Sequence, residues 1–125
     1  MKFNPVSVKS KFMSEEQQKI KKLALNIKKN PKDSFSKFAL ALELLKREQV
    51  TKAILLFESI LEQEPDYLGV YYHLGKLYQQ TGNVQKAGEL FTKGIQLAEE
   101  KNNSRTKSEL SEAFETLKIE TEYDS

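Results

Sequence analysis

Residues 65–99 read PDYLGVYYHLGKLYQQTGNVQKAGELFTKGIQLAE, and residues 31–64 read PKDSFSKFALALELLKREQVTKAILLFESILEQE. Each stretch opens on a proline, and Pro31 and Pro65 lie 34 residues apart. The same kinds of side chain then return at the same offsets. The first stretch has Leu40, Ala41, Leu44, Ala53, Phe57 and Ile60; the second has Leu74, Gly75, Tyr78, Ala87, Phe91 and Gly94. Tyr71 and Gly82 complete the second pattern. A fixed period of this length marks stacked units, each a helix pair that cannot bury its apolar face alone. The apolar spacing predicts one pair over Ser34 to about Arg47 and Thr51 to about Gln63, with Thr51 as N-cap. It predicts a second pair over Tyr67–Gln80 and Val84 to about Ala98. Gly82 supplies the turn between them, because only glycine takes positive φ at a helix end without strain.

These residues resemble the tetratricopeptide repeat, whose pattern is aromatic-x2-Leu-Gly-x2-Tyr, then Ala-x3-Phe, then Pro. The resemblance covers residues 31–99 and is fuller in the second unit. In the first, Lys37 replaces the leading aromatic and Glu48 replaces the turn glycine. It implies an all-α fold, an α-solenoid of antiparallel helix hairpins, with small residues where the two helices of a pair meet. Ala41, Gly75, Ala53 and Ala87 are those residues, and Tyr71 belongs to the core. Gly94 is small where Ile60 is large, so the two units must pack differently against their next helix.

The flanks bring the expected count to six helices. Ser14-Glu15-Glu16-Gln17 reads as a capping box opening a helix over residues 15–29, whose stripe is Ile20, Leu23, Ala24 and Ile27. It stands where the second helix of a preceding unit would sit, yet Lys19 and Asn26 fill positions that favour small residues. A capping helix is therefore expected there. Ser104 opens a last capping helix to about Glu120, with Leu110, Ala113, Phe114 and Leu117 inward and Glu109, Glu112 and Glu115 toward solvent. Glu99 stands where a third proline is due, consistent with the repeats stopping there. A single helical domain over 14–120 is expected, with a flexible arm at 1–13 and a frayed tail at 121–125. Stacked arrays want about three units for stability. Two units plus two capping helices meet that need, or self-association completes the stack.

The chain of 125 residues is 38% apolar and 30% charged, ordinary for a helical domain with a charged outer face. It has no cysteine, which removes disulfides and thiolate chemistry and suits a reducing compartment; a cytoplasmic protein is expected. No run of apolar residues is long enough to span a membrane. Residues 1–32 hold nine lysines against Glu15 and Glu16, while the remainder is acidic. Nucleic-acid contact through Lys19, Lys21, Lys22, Lys28, Lys29 and Lys32 is disfavoured, because no aromatic stacking platform accompanies them.

No catalytic set is legible. His73 is the only histidine, with no second His or Cys to make a metal site, and no glycine-rich phosphate loop occurs. An enzyme, a cofactor and a metal are therefore not expected. The resemblance implies instead a groove lined by the first helix of each pair, where a partner's peptide or helix lies. Here it presents Phe35, Phe38, Leu42 and Leu45 from the first pair, and Tyr72, His73, Lys76 and Gln79 from the second. The alternative is that the helix at 15–29 covers Phe38 and Leu42. Members that clamp a C-terminal carboxylate use Lys and Asn from successive first helices. Phe38, Leu42 and His73 occupy those positions, so that ligand class is disfavoured. The leading expectation is a protein–protein interaction module. The other is a self-assembling homo-oligomer whose groove is filled by its own arm or a second copy.

Overall fold

The computed structural model describes residues 13–124, so all but Met13 of the arm expected at 1–13 lies outside the described residues. Six helices succeed one another: α1 Glu15–Lys29, α2 Ser34–Lys46, α3 Val50–Gln63, α4 Leu68–Gln80, α5 Val84–Glu100 and α6 Ser104–Asp124. Each packs on the next, and α6 also reaches α4, which gives the serial stacking of an all-α solenoid.

Local chemistry sets the helix starts. The capping box at α1 is complete: the Gln17 amide donates to Ser14 Oγ at 3.1 Å and the Ser14 amide donates to Gln17 Oε1 at 3.0 Å. Asp33 caps α2 by accepting the Ser36 amide at 3.0 Å, and Asn83 caps α5 through the Lys86 amide. Two expectations shift. α3 begins at Val50 with Gln49 as its N-cap and no side-chain cap bond, so Thr51 lies inside the helix. At α6 the cap is Asn103, whose Oδ1 accepts the Thr106 amide at 3.1 Å, one residue before Ser104. That helix also runs on to Asp124, so the expected frayed tail is helical to that point.

The three helix-to-helix turns after α2, α4 and α5 share one geometry. Glu48, Gly82 and Asn102 have φ of 59°, 86° and 55°. In each turn the next amide reaches back to a helix carbonyl: Gln49 to Leu44 at 3.0 Å, Asn83 to Tyr78 at 2.8 Å and Asn103 to Ala98 at 2.9 Å. This six-to-one bond satisfies a carbonyl left over at the helix end. Glutamate therefore adopts at position 48 the conformation for which the second unit uses glycine.

Two cores hold α2 to α6, and a third cluster joins α1 to them. One joins Ala41, Ala53, Phe57, Ile60, Val70, Leu74 and Leu77 across α2, α3 and α4. The other joins Tyr71, Ala87, Phe91, Leu110, Ala113 and Leu117 across α4, α5 and α6. Gly75 lies flat against Phe91, where a β-carbon would penetrate the ring. At Gly94 a β-carbon would sit 2.8 Å from Tyr71 Cβ and 2.9 Å from Leu110 Cδ1. The absent side chain at 94 is what lets α6 seat Leu110 beside Tyr71. Tyr71 is 1% exposed and its hydroxyl donates to the Pro65 carbonyl. Lys37, at the matching position of the first pair, is buried too. Its ammonium donates to Ser59 Oγ at 2.8 Å and to Gln63 Oε1, so polar partners replace the aromatic's apolar contacts.

α1 packs its Leu23, Ile20 and Ile27 on Leu40, Leu44, Ala39 and Leu56. It is tied at its outer edge by Lys19, whose ammonium is 2.9 Å from Glu43 Oε1. Phe38 and Leu42 belong to the other cluster, packed against the core of α2, α3 and α4. The alternative that α1 covers them is therefore overturned: α1 occupies the Leu40/Leu44 face of α2 instead.

Candidate functional site

α2, α4 and α6 are the first helices of successive pairs and share a register. Leu40, Leu74 and Leu110 are each the seventh residue of their helix, and all three are buried. With these leucines turned inward, positions five, six and nine define a common flank. They hold Phe38 and Leu42 in α2 and Tyr72, His73 and Lys76 in α4. In α6 the sixth and ninth residues are Glu109 and Glu112.

The side chains on this flank form a continuous band. Phe38 meets Tyr67 at 5.5 Å and His73 at 5.5 Å between ring centroids. His73 stacks on Phe57 at 5.8 Å with 7° between planes, and Tyr72 meets His73 edge-on at 5.6 Å. These separations are those of favourable aromatic pairs. Beyond Tyr72 the band opens into a cleft of about 170 Å³ between α4 and α6, lined by Tyr72, Lys76, Glu109, Glu112, Ala113 and Thr116. Burial among the rings pushes the His73 pKa down, and Glu109 pulls in the other direction.

The eight groove residues named from sequence divide into four kinds. Phe35 is 73% exposed at the start of α2 and carries no core contact. Phe38, Leu42 and Leu45 are half-buried, each resting on the first core with part of its surface open. Tyr72, His73 and Lys76 are half-buried at the junction of α4 with its neighbours. Gln79 differs, since its side-chain amide donates to Glu120 of α6 and so ties two helices together. Glu109 and Glu112 are solvent-exposed, as expected, and they also line the cleft. Counting α6 from its first residue, as the first helix of a further pair, places them on the flank. Leu110 at the register of Leu74 is the sequence signal for that count.

The single imidazole is enclosed by rings, and among the described residues no group of three or more His, Cys, Asp and Glu forms a metal site. No described helix is long and apolar enough to cross a membrane.

Stacked helix pairs with a shared first-helix flank define an α-solenoid. A model of the tetratricopeptide repeat family matches residues 44–102. The tetratricopeptide repeat domain protein of Salinibacter ruber, solved by solution NMR, is 40% identical; the match covers 70% of this chain and 89% of that one, with a TM-score of 0.66. Its crystal structure matches at the same identity and TM-score, over 69% of this chain and 97% of that one. The TPR2B domain of yeast Sti1, solved in complex with pHsp70, has a TM-score of 0.74 over 81% of each chain at 19% identity, a likeness of fold alone. None of the curated proteins matches the chain. The chain belongs to the tetratricopeptide repeat family.

Proposed function

We propose that this protein is an interaction module that takes a peptide or helix of a partner protein along the flank of α2, α4 and α6. One observation carries the reading. A band of ring contacts runs from Phe38 through His73 and Tyr72 into the charged cleft of Lys76, Glu109 and Glu112, with Phe35 exposed one turn before Phe38 on α2. Tyr72 and Lys76 both line that cleft, outside the buried core. A large, partly open aromatic surface beside fixed charges suits an amphipathic segment, with apolar side chains on the rings and polar ones in the cleft. In the Sti1 complex it is pHsp70 that the neighbour holds. Here Phe38, Leu42 and His73 occupy the positions of a carboxylate clamp, and none supplies a cation to a chain terminus, so an internal apolar segment is favoured over a C-terminal carboxylate. The absence of cysteine suits action in the cytoplasm.

The test is comparative affinity capture from native cytosol, with the wild-type chain beside a Tyr72→Ala, Lys76→Glu double variant. Both residues lie outside the buried cores, so helicity by circular dichroism should be unchanged. A protein held by the wild type and lost by the variant supports the groove. Equal recovery by both, with the fold intact, removes the groove from partner binding.

A further inference from the structure

The described helices begin on a second-helix position and end on a first-helix position. α1 aligns with α3, 34 residues on: Leu23 stands where Phe57 stands, and Lys29 and Gln63 close the two helices. Like a second helix, α1 packs on the following pair, reaching α2 and Leu56 of α3. α6 aligns with α4 and packs on both α4 and α5. Within these six helices α6 lacks the second helix of its pair, and α1 lacks the first.

Among the described residues, the place that a second helix paired with α6 would take is open. Between α5 and the C-terminal half of α6 lies an apolar groove of about 920 Å³, whose floor includes Val84, Gly88, Phe114 and Leu117. Gly88 keeps it shallow on the α5 side, since its nearest neighbours are Leu117 and Phe114 at 3.8 and 3.9 Å from an ideal β-carbon. Glu89, Lys93, Lys118 and Glu122 also line it, with Lys118 drawn over the Phe114 ring and 2.9 Å from Glu115.

α1 carries the matching face. Leu25 is 47% exposed, and Lys21, Lys22, Lys28 and Lys29 surround it one turn away on either side. Its counterpart in α3 is Ser59, which bonds Lys37 of the first helix in its own pair, so Leu25 is directed to where a first-helix partner belongs. The groove's own charges balance, Glu89 and Glu122 against Lys93 and Lys118, so complementarity is only between ends: α1 has five lysines against two glutamates, and α6 as a whole six acidic residues against three basic. Length agrees too. The 15 residues of α1 span about 22 Å, and the groove wall from Val84 to Gln96 about 18 Å.

We propose that α1 of a second copy docks in the α5–α6 groove and closes α6 into a composite pair, so that chains stack head to tail. This surface is distinct from the flank of α2, α4 and α6, so the partner groove stays open in the stack. The contact is heterologous and leaves a free α1 and a free groove at the two ends, so growth is open-ended and not closed at a dimer. Opposite charge at the two ends makes association weaken as salt rises.

Sedimentation of the 125-residue chain from micromolar to millimolar concentration tests this, using two variants. Leu25→Glu spoils the α1 face, and Thr92→Arg with Thr121→Arg sets like charge against its lysines. All three residues are solvent-exposed on helices, so each variant should keep the wild-type helicity and melting. The wild-type mean mass should pass that of a dimer as concentration rises. Each variant alone should need about tenfold more protein to associate. Mixed, they should form a one-to-one dimer, because one keeps its groove and the other its α1 face. A monomeric wild type at millimolar concentration overturns the proposal. So does a closed dimer indifferent to Leu25→Glu, which would mean that two grooves pair with each other, or a mixture in which no dimer forms.

Discussion

The imidazole of His73 lies parallel to the ring of Phe57, with 7° between their planes and 5.8 Å between their centroids. Phe38 and Tyr72 close its sides edge-on. Such an enclosure resists a charge, and burial holds the His73 pKa below its ordinary 6.5 in spite of Glu109. Below pH 6.5 the unfolded chain therefore takes up a proton that the folded chain still refuses. The stability linked to this group is fully present above that pH and declines as pH falls, levelling off once the folded-state value is passed. Urea midpoints measured from about pH 7.5 down to about pH 5.5 should fall for the wild type. They should fall less for His73→Phe, which keeps a ring in place without a titrating group. A wild-type midpoint that stays flat or rises would mean that the aromatic faces stabilise the imidazolium more than burial opposes it.

Gly94 and Gly88 lie on the same helix and should respond to alanine in opposite directions. At Gly94 the new methyl meets Tyr71 Cβ at 2.8 Å, and a β-carbon is fixed to its backbone and cannot swing away. Overpacking of this kind costs about 1–3 kcal/mol, against a helix-propensity gain of about 1 kcal/mol. Gly94→Ala should therefore be a net loss. At Gly88 the nearest atoms are 3.8 and 3.9 Å away, ordinary contact. Gly88→Ala should stabilise by about 0.5–1 kcal/mol. Chemical denaturation of the two variants beside the wild type settles both signs.

Much of this architecture is legible in the sequence because close helix approach demands small residues at a fixed period. Gly75 against Phe91, with Ala41 at the matching place beside Phe57 in the first pair, is the physical content of the 34-residue pattern. The features that stay hidden depend on neighbours distant in sequence. Lys37 reads as a lapse from the aromatic, yet it is buried because Ser59 and Gln63 lie one helix away to receive its protons. His73 reads as solitary, and only the fold brings Phe38 and Phe57 to its two sides. The cleft beside the exposed Glu109 and Glu112 is not legible because a cap and a first helix carry the same apolar stripe. The packing of α6 on both α4 and α5 distinguishes the two.

The tie between α1 and the rest of the stack should be local and electrostatic at its edge. Glu43 is almost wholly covered, and it accepts from Lys19 at 2.9 Å and Lys46 at 3.3 Å. The Lys19 bond is the chief reason that its carboxyl sits below the usual range. A lowered carboxyl pKa contributes stability above the unfolded value of about 4.5, lost as pH falls through the folded value. Lys19→Met removes the partner that crosses from α1 to α2. Amide hydrogen exchange should accelerate in α1 at neutral pH while α4 and α5 keep their protection, since local opening tracks the contacts that hold an element down. At pH well below the folded value the wild type and the variant should exchange alike. Uniform acceleration across all helices would instead mean that α1 is part of one cooperative unit with the solenoid.

Glu48 and Gly82 hold the same turn position in successive pairs, with φ of 59° and 86°. An L side chain in this region costs about 1–2 kcal/mol. Glycine avoids that strain but gives up about 0.5–1 kcal/mol in chain entropy on folding. Glu48 is exposed, so its replacement sacrifices no packing. Glu48→Gly should therefore raise stability by about 0.5–1 kcal/mol, the difference of those two terms. Gly82→Ala should lower stability by a similar amount, as a β-carbon at Gly82 finds nothing within 4 Å and only the backbone strain is added. The two turns lie inside different pairs, so their effects should add in the double variant. Thermal and urea unfolding of the three variants checks the signs and the sum. A Glu48→Gly protein no more stable than wild type would show that the turn is held by its six-to-one bond from Gln49 to Leu44, with no strain left to relieve.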